Sequence, residues 1–496
     1  MSQGTLTLGR WLRDRAAIEP ERVAIDEDGL QTTYGELDER SDRLAAAMLD
    51  LGLERGDLVA TLTGNSGEHV IAFFASAKAG FGLVPLNWRL APAELAFQLD
   101  DARPALLLVE PEQSELAAQA LAVAKNEPRR LELGSAEQRS LEERADANVP
   151  ALAQDDDPLL IVYTSGTTGR PKGAILTHAN CFWTNLSFDL ATGVREDDVV
   201  LQVLPQFHCG GWNVQPLLAW WKGATVVLER GFDAARCLEL IERKGITTMM
   251  GVPANYQFMA QEPGFASAVL SSLRKAVVGG APIAEPILDS WRKRGVSIVP
   301  GYGLTEAAPN VLYDGKPYPY VDVGLRDPAS GTLLEGAATG ELVVRGPNVF
   351  AGYLGRPEES SAVFDGSWLL TGDVAERDDA GSYSIRDRIK DMYISGGENV
   401  YPAEIETALH EHSAVGDVAV AGVPDERWGE AGIAFVVVDG GGDTTPEELR
   451  EWCRGRLAHY KVPREVRFVE VLPRSPMNKV LKDELIGSLD ETEVVA

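Results

Sequence analysis

Short runs rich in Val, Ile and Leu alternate along most of this chain with segments of helical period, and that alternation restricts the fold more than any other feature. "YGELDERSDRLAAAMLDLGL" places Leu37, Leu44, Met48 and Leu51 on one helical face, and "DLVATL" follows as a strand. "EHVIAFFASAKAG" reads as a helix, "GLVPL" as extended, "PAELAFQLDD" as a helix and "PALLLVE" as extended. The rhythm continues through "ATVVLE", "TTMMGV", "KAVVGG" and "VSIVPGYG". Such a pattern predicts an α/β protein with largely parallel sheet. Strands that run into Gly-rich turns mark where such sheets bind ligands.

After about Asn310 the alternation weakens. "GTLLEG", "GELVVRG", "SWLLTGD" and "GSYSIRD" are short strands split by Gly and Asp turns, which predicts a smaller β-rich subdomain. In "RDRIKDMYISGGENVYPAEIE" polar, charged and Gly residues precede a helix started by Pro402, a plausible hinge into a last domain. That domain mixes helices ("PAEIETALH", "PEELREWCRGRL") with strands ("GDVAVAGV", "GIAFVVV") and predicts a compact α+β unit. At 496 residues the chain exceeds what one hydrophobic core organises.

Lys and Arg number 46 against 75 Asp and Glu, a net charge of −29, so nucleic acid and anionic membrane are poor partners. An anionic small molecule must be held by local cations, backbone amides or a metal. The four cysteines, Cys181, Cys209, Cys237 and Cys453, have neither disulfide-framework nor zinc-site spacing. The first residues carry no signal-peptide core and no run of 18 apolar residues occurs, which together predict a soluble cytoplasmic protein.

The stretch "LLIVYTSGTTGRPKG" (Leu159 to Gly173) passes from a buried strand into a loop of Thr, Ser and Gly that ends in Arg170 and Lys172. Its glycines, Gly166 and Gly169, miss the spacing of the common phosphate loop, and Gly173 stands where that motif needs a hydroxyl. The physics is still that of phosphate binding: N–H groups and the hydroxyls of Ser165, Thr167 and Thr168 around phosphate oxygens, with Lys172 as counter-charge.

Five further stretches accompany it: "PQFHCGGWN", "GGAPI", "GYGLTE", "LLTGD" and the hinge segment, followed by "PRSPMNKV". In this order the set resembles the adenylate-forming superfamily of acyl-CoA synthetases, aryl-acid ligases, luciferases and peptide-synthetase adenylation domains, over nearly the whole chain. The resemblance implies a large N-terminal AMP-binding domain, residues 1–389, made of two mixed or parallel α/β subdomains plus a β-rich one. It implies a small mobile C-terminal α+β domain, residues 390–496, pivoting at Lys390. Gly396 and Gly397 would let the pantetheine of coenzyme A pass close to the backbone.

The implied ATP-binding set is Thr164, Ser165, Gly166, Thr167, Thr168, Gly169 and Lys172, with Gly280, Ala281 and Pro282, then Gly301, Tyr302, Gly303 and Thr305, then Asp373 and Arg388 at the ribose. Tyr302 offers an aromatic face for adenine, and Glu306, with Thr164, a hard oxygen donor for Mg2+. Lys479 carries the sharpest chemical argument. A carboxylic acid is already ionised at neutral pH and needs no base. It must attack the α-phosphorus of another anion, so a lysine touching both reactants supplies the charge that attack requires. Relatives precede this lysine with Gly, whereas here Asn478 stands there. His208 matches an imidazole near the reacting carboxylate, completing a catalytic set of Lys479, His208 and Glu306.

For the acyl pocket the resemblance implies His208, Gly210, Gly211 and Trp212, the last matching a tunnel-gating tryptophan of long-chain fatty acyl-CoA synthetases. The small intervening residues favour a medium- or long-chain fatty acid; an aryl or small acid is the alternative, as is a ligase that loads a carrier protein. With no carrier domain before Ala496, free coenzyme A is the economical acceptor. The expected ligands are thus a carboxylic acid, ATP, Mg2+ and coenzyme A, with no nucleic acid and no stable membrane insertion; a homodimer is left open. A nucleotide-binding pseudoenzyme is the non-enzyme alternative. One departure stands out: between "GYGLTEAAPN" and "GKPYPYVDVGL" relatives carry a longer segment, and this chain only "VLYD".

Overall fold

The computed structural model describes residues 4–144, 149, 152–164, 170–389, 391–395, 398–425, 428–439, 444–457, 459–474 and 480–492. The chain forms two compact units: Met1–Ile283 with Ile287–Val323 and Val344–Leu369, and Ala284–Pro286 with Gly324–Val343 and Leu370–Ala496.

The first unit contains the predicted parallel sheets. In one, the strands Ile298–Gly303, Lys275–Val278, Thr248–Gly251, Val199–Gln202, Thr225–Leu228 and Val23–Glu27 lie side by side and parallel. Antiparallel strands close its edges. In the other, Pro158–Thr164, Gly82–Leu86, Leu58–Leu62, Leu106–Val109 and Arg129–Glu132 are parallel, and Lys172–Thr177 turns back against Pro158–Thr164. The inner strands Gly82–Leu86 and Leu106–Val109 are buried along their whole length, as parallel strands covered on both faces are, whereas the edge strand Arg129–Glu132 is partly exposed. Leu201, Met249, Ala276 and Val278 pack with Tyr256 and Trp291 in the first core, and Leu62, Val84, Leu107 and Ile161 in the second. Each buried Leu, Ile, Val or Met among them contributes about 1.5–3 kcal/mol.

The helix Tyr34–Asp50 begins at a capping box in which Thr33 and Glu36 each accept from the other's backbone N–H, at 3.2 and 2.8 Å. Leu37, Leu44 and Met48 are buried as the periodicity predicts. The same helix supplies Asp38 and Asp42, which hold the fully buried ammonium of Lys78 at 2.6 and 2.9 Å. Lys78 is thereby a charged pin between two helices, tolerated because it is paired.

The short segment after Asn310 is a tight hairpin. Strands Asn310–Tyr313 and Lys316–Pro317 are joined by Asp314 and Gly315, both with positive φ (50° and 70°), the arrangement a two-residue turn needs to match strand twist.

In the second unit, Asp373 of the strand Trp368–Arg377 lies opposite Arg388 of Tyr383–Arg388. The strands Val415–Asp425 and Gly429–Val438 pair antiparallel, and Glu465–Phe468 joins the latter in parallel. Helices Pro402–His410 and Pro446–Arg454, each started by proline, cover this sheet through Ile405, Leu409 and Leu449. The α+β reading of this region matches its observed elements.

Candidate active site

The strand Pro158–Thr164 is fixed before the expected phosphate loop begins. Tyr163 donates its hydroxyl to Asp101 at 2.9 Å, and Tyr163 faces Gly173 across the hairpin. A Cβ on Gly173 would lie 2.8 Å from Ile161 Cγ2, so the glycine that follows Lys172 is needed for strand packing. Residues Ser165, Gly166, Thr167, Thr168 and Gly169 lie outside the described residues. Their two flanks do not: Thr164 and Lys172 stand opposite each other in register.

Lys172 is mostly buried. Its ammonium forms an ion pair with Glu359 and lies 5.3 Å from the centroid of the Tyr353 ring. That pairing, before anything else, holds the Glu359 carboxylate below the usual range. Tyr353 in turn donates its hydroxyl to Glu306 Oε1 at 2.9 Å. The expected phosphate-binding cation and the expected metal-binding carboxylate are therefore connected through one phenol. Burial, and next the Glu306 charge, push the Tyr353 phenol above its ordinary range, so it stays a donor.

Glu306 sits in the turn Thr305–Ala307, and its backbone carbonyl accepts from Phe350 N–H at 2.9 Å. The strand leading there, Ile298–Gly303, could not carry side chains throughout. A Cβ on Gly303 would fall 1.4 Å from the carbonyl oxygen of Pro309. Gly301 is the neighbouring case with room, its nearest contact being 3.6 Å away. Tyr302 is half-buried and pairs with Leu312.

"GGAPI" follows the adjacent parallel strand Lys275–Val278, with Val278 opposite Pro300. Gly280 has φ of 83°, and Gly280, Ala281 and Pro282 are exposed. The two motifs thus emerge side by side at the carboxyl ends of neighbouring parallel strands, where open α/β sheets accept ligands.

"PQFHCGGWN" joins the same edge through Cys209, whose sulfur lies 3.5 Å from Thr305 Oγ1. His208 is partly exposed with its ring against Phe207, centroids 4.7 Å apart. Gly211 has no room for a side chain, since a Cβ would meet the Pro205 carbonyl oxygen at 2.2 Å. Gly210 has ordinary space around it. Trp212 has no exposed surface: its ring stacks on Phe73 at 4.6 Å and meets His69 edge-on at 5.1 Å, while Nε1 donates to the Gln206 carbonyl at 2.6 Å.

In the second unit Asp373 and Arg388 are cross-strand partners, and Asp373 is buried to 5% exposure. The spacing of "TGD" and "RDR" in the sequence does not reveal that register. Lys390, Gly396, Gly397 and Lys479 lie outside the described residues. Among the described residues no group of three or more His, Cys, Asp or Glu could hold a metal. The donor set suits Mg2+ nonetheless, because that ion is ordinarily held by one or two carboxylates together with substrate phosphates and water. Tyr353 and Glu359 were missed in the sequence; "GYLGRPEES" carries no signal that it reaches Lys172.

Residues 12–354 match the family described as AMP-binding enzyme, and residues 404–479 match the AMP-binding enzyme C-terminal domain. The chain is 40% identical over 491 residues to a feruloyl-CoA synthase of an Amycolatopsis species, covering 96% of this chain and 98% of that protein. It is 36% identical over 496 residues to a long-chain-fatty-acid–CoA ligase of Mycobacterium tuberculosis, covering 96% and 97%. Among solved structures, ATP-bound MatB from Rhodopseudomonas palustris superposes with a TM-score of 0.90 at 31% identity, covering 97% of this chain and 98% of that one. No helix among the described residues is long and apolar enough to cross a membrane.

Proposed function

The chain belongs to the AMP-binding enzyme family, and from that premise we propose that it is an ATP- and Mg2+-dependent carboxylic acid:CoA ligase. The observation that carries the reading is the connected set Lys172, Tyr353 and Glu306 beside "GGAPI" and "GYGLTE", a phosphate cation and a hard carboxylate at the carboxyl edge of a parallel sheet.

The chemistry runs in two steps. The acid's carboxylate oxygen forms a bond to the α-phosphorus of ATP, and pyrophosphate leaves. The thiol of coenzyme A then forms a bond to the acyl carbon, and AMP leaves with that oxygen. Lys172 and the loop from Ser165 to Gly169 hold the departing phosphates, while Asp373 and Arg388 serve the ribose and Tyr302 the adenine. Mg2+, held by Glu306 and Thr164, would neutralise phosphate charge. Lys479 balances charge in the first step, and rotation of a C-terminal domain from Lys390 onward, about that residue, removes it for the second. Gly396 and Gly397 line the thiol's path.

For the acid we favour an aromatic side chain. Trp212 is packed on Phe73, so a gate there would have to leave a stacked core position, and the half-buried His208 is bordered by Phe207. A relative named for feruloyl, an aromatic acyl group, is 40% identical. The second reading, a medium- or long-chain fatty acid, is favoured by the 36% identical fatty-acid ligase. Incubation with ATP, Mg2+ and a panel of aryl-alkenoic, aryl-acetic and fatty acids tests both. Acid-dependent pyrophosphate release that yields a thioester with coenzyme A is expected, strongest with the aryl-alkenoic members. No release with any acid would end the ligase reading.

A further inference from the structure

We infer that Tyr353 is a positioning residue that fixes the Glu306 carboxylate for its cation, an assignment that rests on reading Glu306 as the Mg2+ ligand. Three observations converge. The phenol hydroxyl donates to Glu306 Oε1 at 2.9 Å, and among the described residues no hydrogen bond to Oε2 occurs. One oxygen is thereby committed and the other left as the donor. A glutamate on a short turn has three side-chain torsions to lose on binding a metal, and a fixed hydrogen bond removes part of that cost beforehand.

Tyr353 is itself rigidly seated. It lies on the short strand Gly352–Tyr353, paired with Ala174 just beyond Lys172. Its N–H donates to Ser360 Oγ at 2.8 Å, and its ring meets Phe350 nearly edge-on at 4.9 Å. The helix Pro357–Ala362 that carries Ser360 and Glu359 is tied down in turn, because Arg356 donates to Asp101 at 2.7 Å and Asp101 also accepts from Tyr163. The phenol therefore takes its position from the strands on both sides of the phosphate-binding loop.

Finally, the ring underlies Lys172 while the hydroxyl serves Glu306. One side chain thus sets the spacing between the cation expected at the phosphates and the carboxylate that would hold the metal.

Tyr353→Phe keeps the ring, the Phe350 contact and the surface under Lys172, and removes the hydroxyl alone. Mn2+ binding to enzyme saturated with inorganic pyrophosphate, followed by electron paramagnetic resonance, is expected to weaken about tenfold, as for other groups that orient a metal ligand. In turnover, the Mg2+ requirement rises by a similar factor while the KM for the acid is unchanged. Glu306→Gln is the reference, and the double variant Y353F/E306Q should bind Mn2+ no more weakly than E306Q alone. Loss of Mn2+ affinity in E306Q but not in Y353F overturns the role of Tyr353, as does an additive loss in the double variant. Unchanged affinity in E306Q overturns the metal reading of Glu306 itself.

Discussion

Cys209 Sγ lies 3.5 Å from Thr305 Oγ1, so the loop that carries His208 is fastened to the turn that carries Glu306. Burial pushes the Cys209 thiol up to about 11, far from the range in which it would react as a thiolate. The remaining cysteines are equally buried, with thiols pushed up to about 12, 12 and 11 for Cys181, Cys237 and Cys453. Native protein at pH 8 should therefore show no rapid reaction with a disulfide reagent, and four equivalents in denaturant. A fast-reacting thiol in the native state would contradict the packing at Cys209 first.

Gly303 and Gly301 sit two residues apart on one strand and should respond differently to the same change. In Gly303→Ala the new Cβ has Pro309 backbone atoms at 1.4 and 2.6 Å, with no flexible side chain to yield. A loss of about 3 kcal/mol or more is expected, whereas Gly301→Ala should stay within about 1 kcal/mol because its nearest contacts are ordinary. Urea unfolding midpoints of the two variants decide it; equal losses would contradict the close approach at Pro309.

His178 and His69 are buried, and burial lowers both to about 4. The unfolded chain takes up these protons first as pH falls, near pH 6.5. Stability is then full above pH 6.5 and lost as pH drops toward 4, at about 1.4 kcal/mol per pH unit for each histidine inside that window. His178→Asn retains an acceptor for the Leu8 N–H that now lies 3.1 Å from Nδ1. Its unfolding free energy should fall less steeply between pH 6.5 and 5 than that of the natural protein; an identical slope would contradict the buried neutral imidazole.

Lys479→Ala should separate the two half-reactions. Acid-dependent pyrophosphate release is expected to drop at least a hundredfold, as when one preorganised charge-stabilising donor is removed, while thioester formation from supplied acyl-adenylate persists. Comparable loss of both rates would remove the case for a lysine that serves one step only.

The sheets were legible because parallel strands buried on both faces must be apolar throughout, and "DLVATL", "KAVVGG" and "TTMMGV" occupy strands as read. What sequence could not show is long-range. Lys172 meets Tyr353 and Glu359 only because Gly352–Tyr353 pairs with the strand after the loop, and no local pattern encodes that pairing. Asp373 and Arg388 face each other by strand register alone. The hairpin after Asn310 closes on Asp314-Gly315, a pair suited to a two-residue turn. Trp212 illustrates the opposite limit: an indole at a matched position is legible, but its stack on Phe73 is not.

The central claim is that the acid is activated as a mixed anhydride with AMP. Turnover of a carboxylic acid labelled with oxygen-18 in both carboxyl oxygens, with ATP, Mg2+ and coenzyme A, reads that bond directly by mass spectrometry of the AMP. The account predicts one labelled oxygen in each AMP and none in pyrophosphate. Unlabelled AMP, or label appearing in inorganic phosphate with ADP as the nucleotide product, would contradict it.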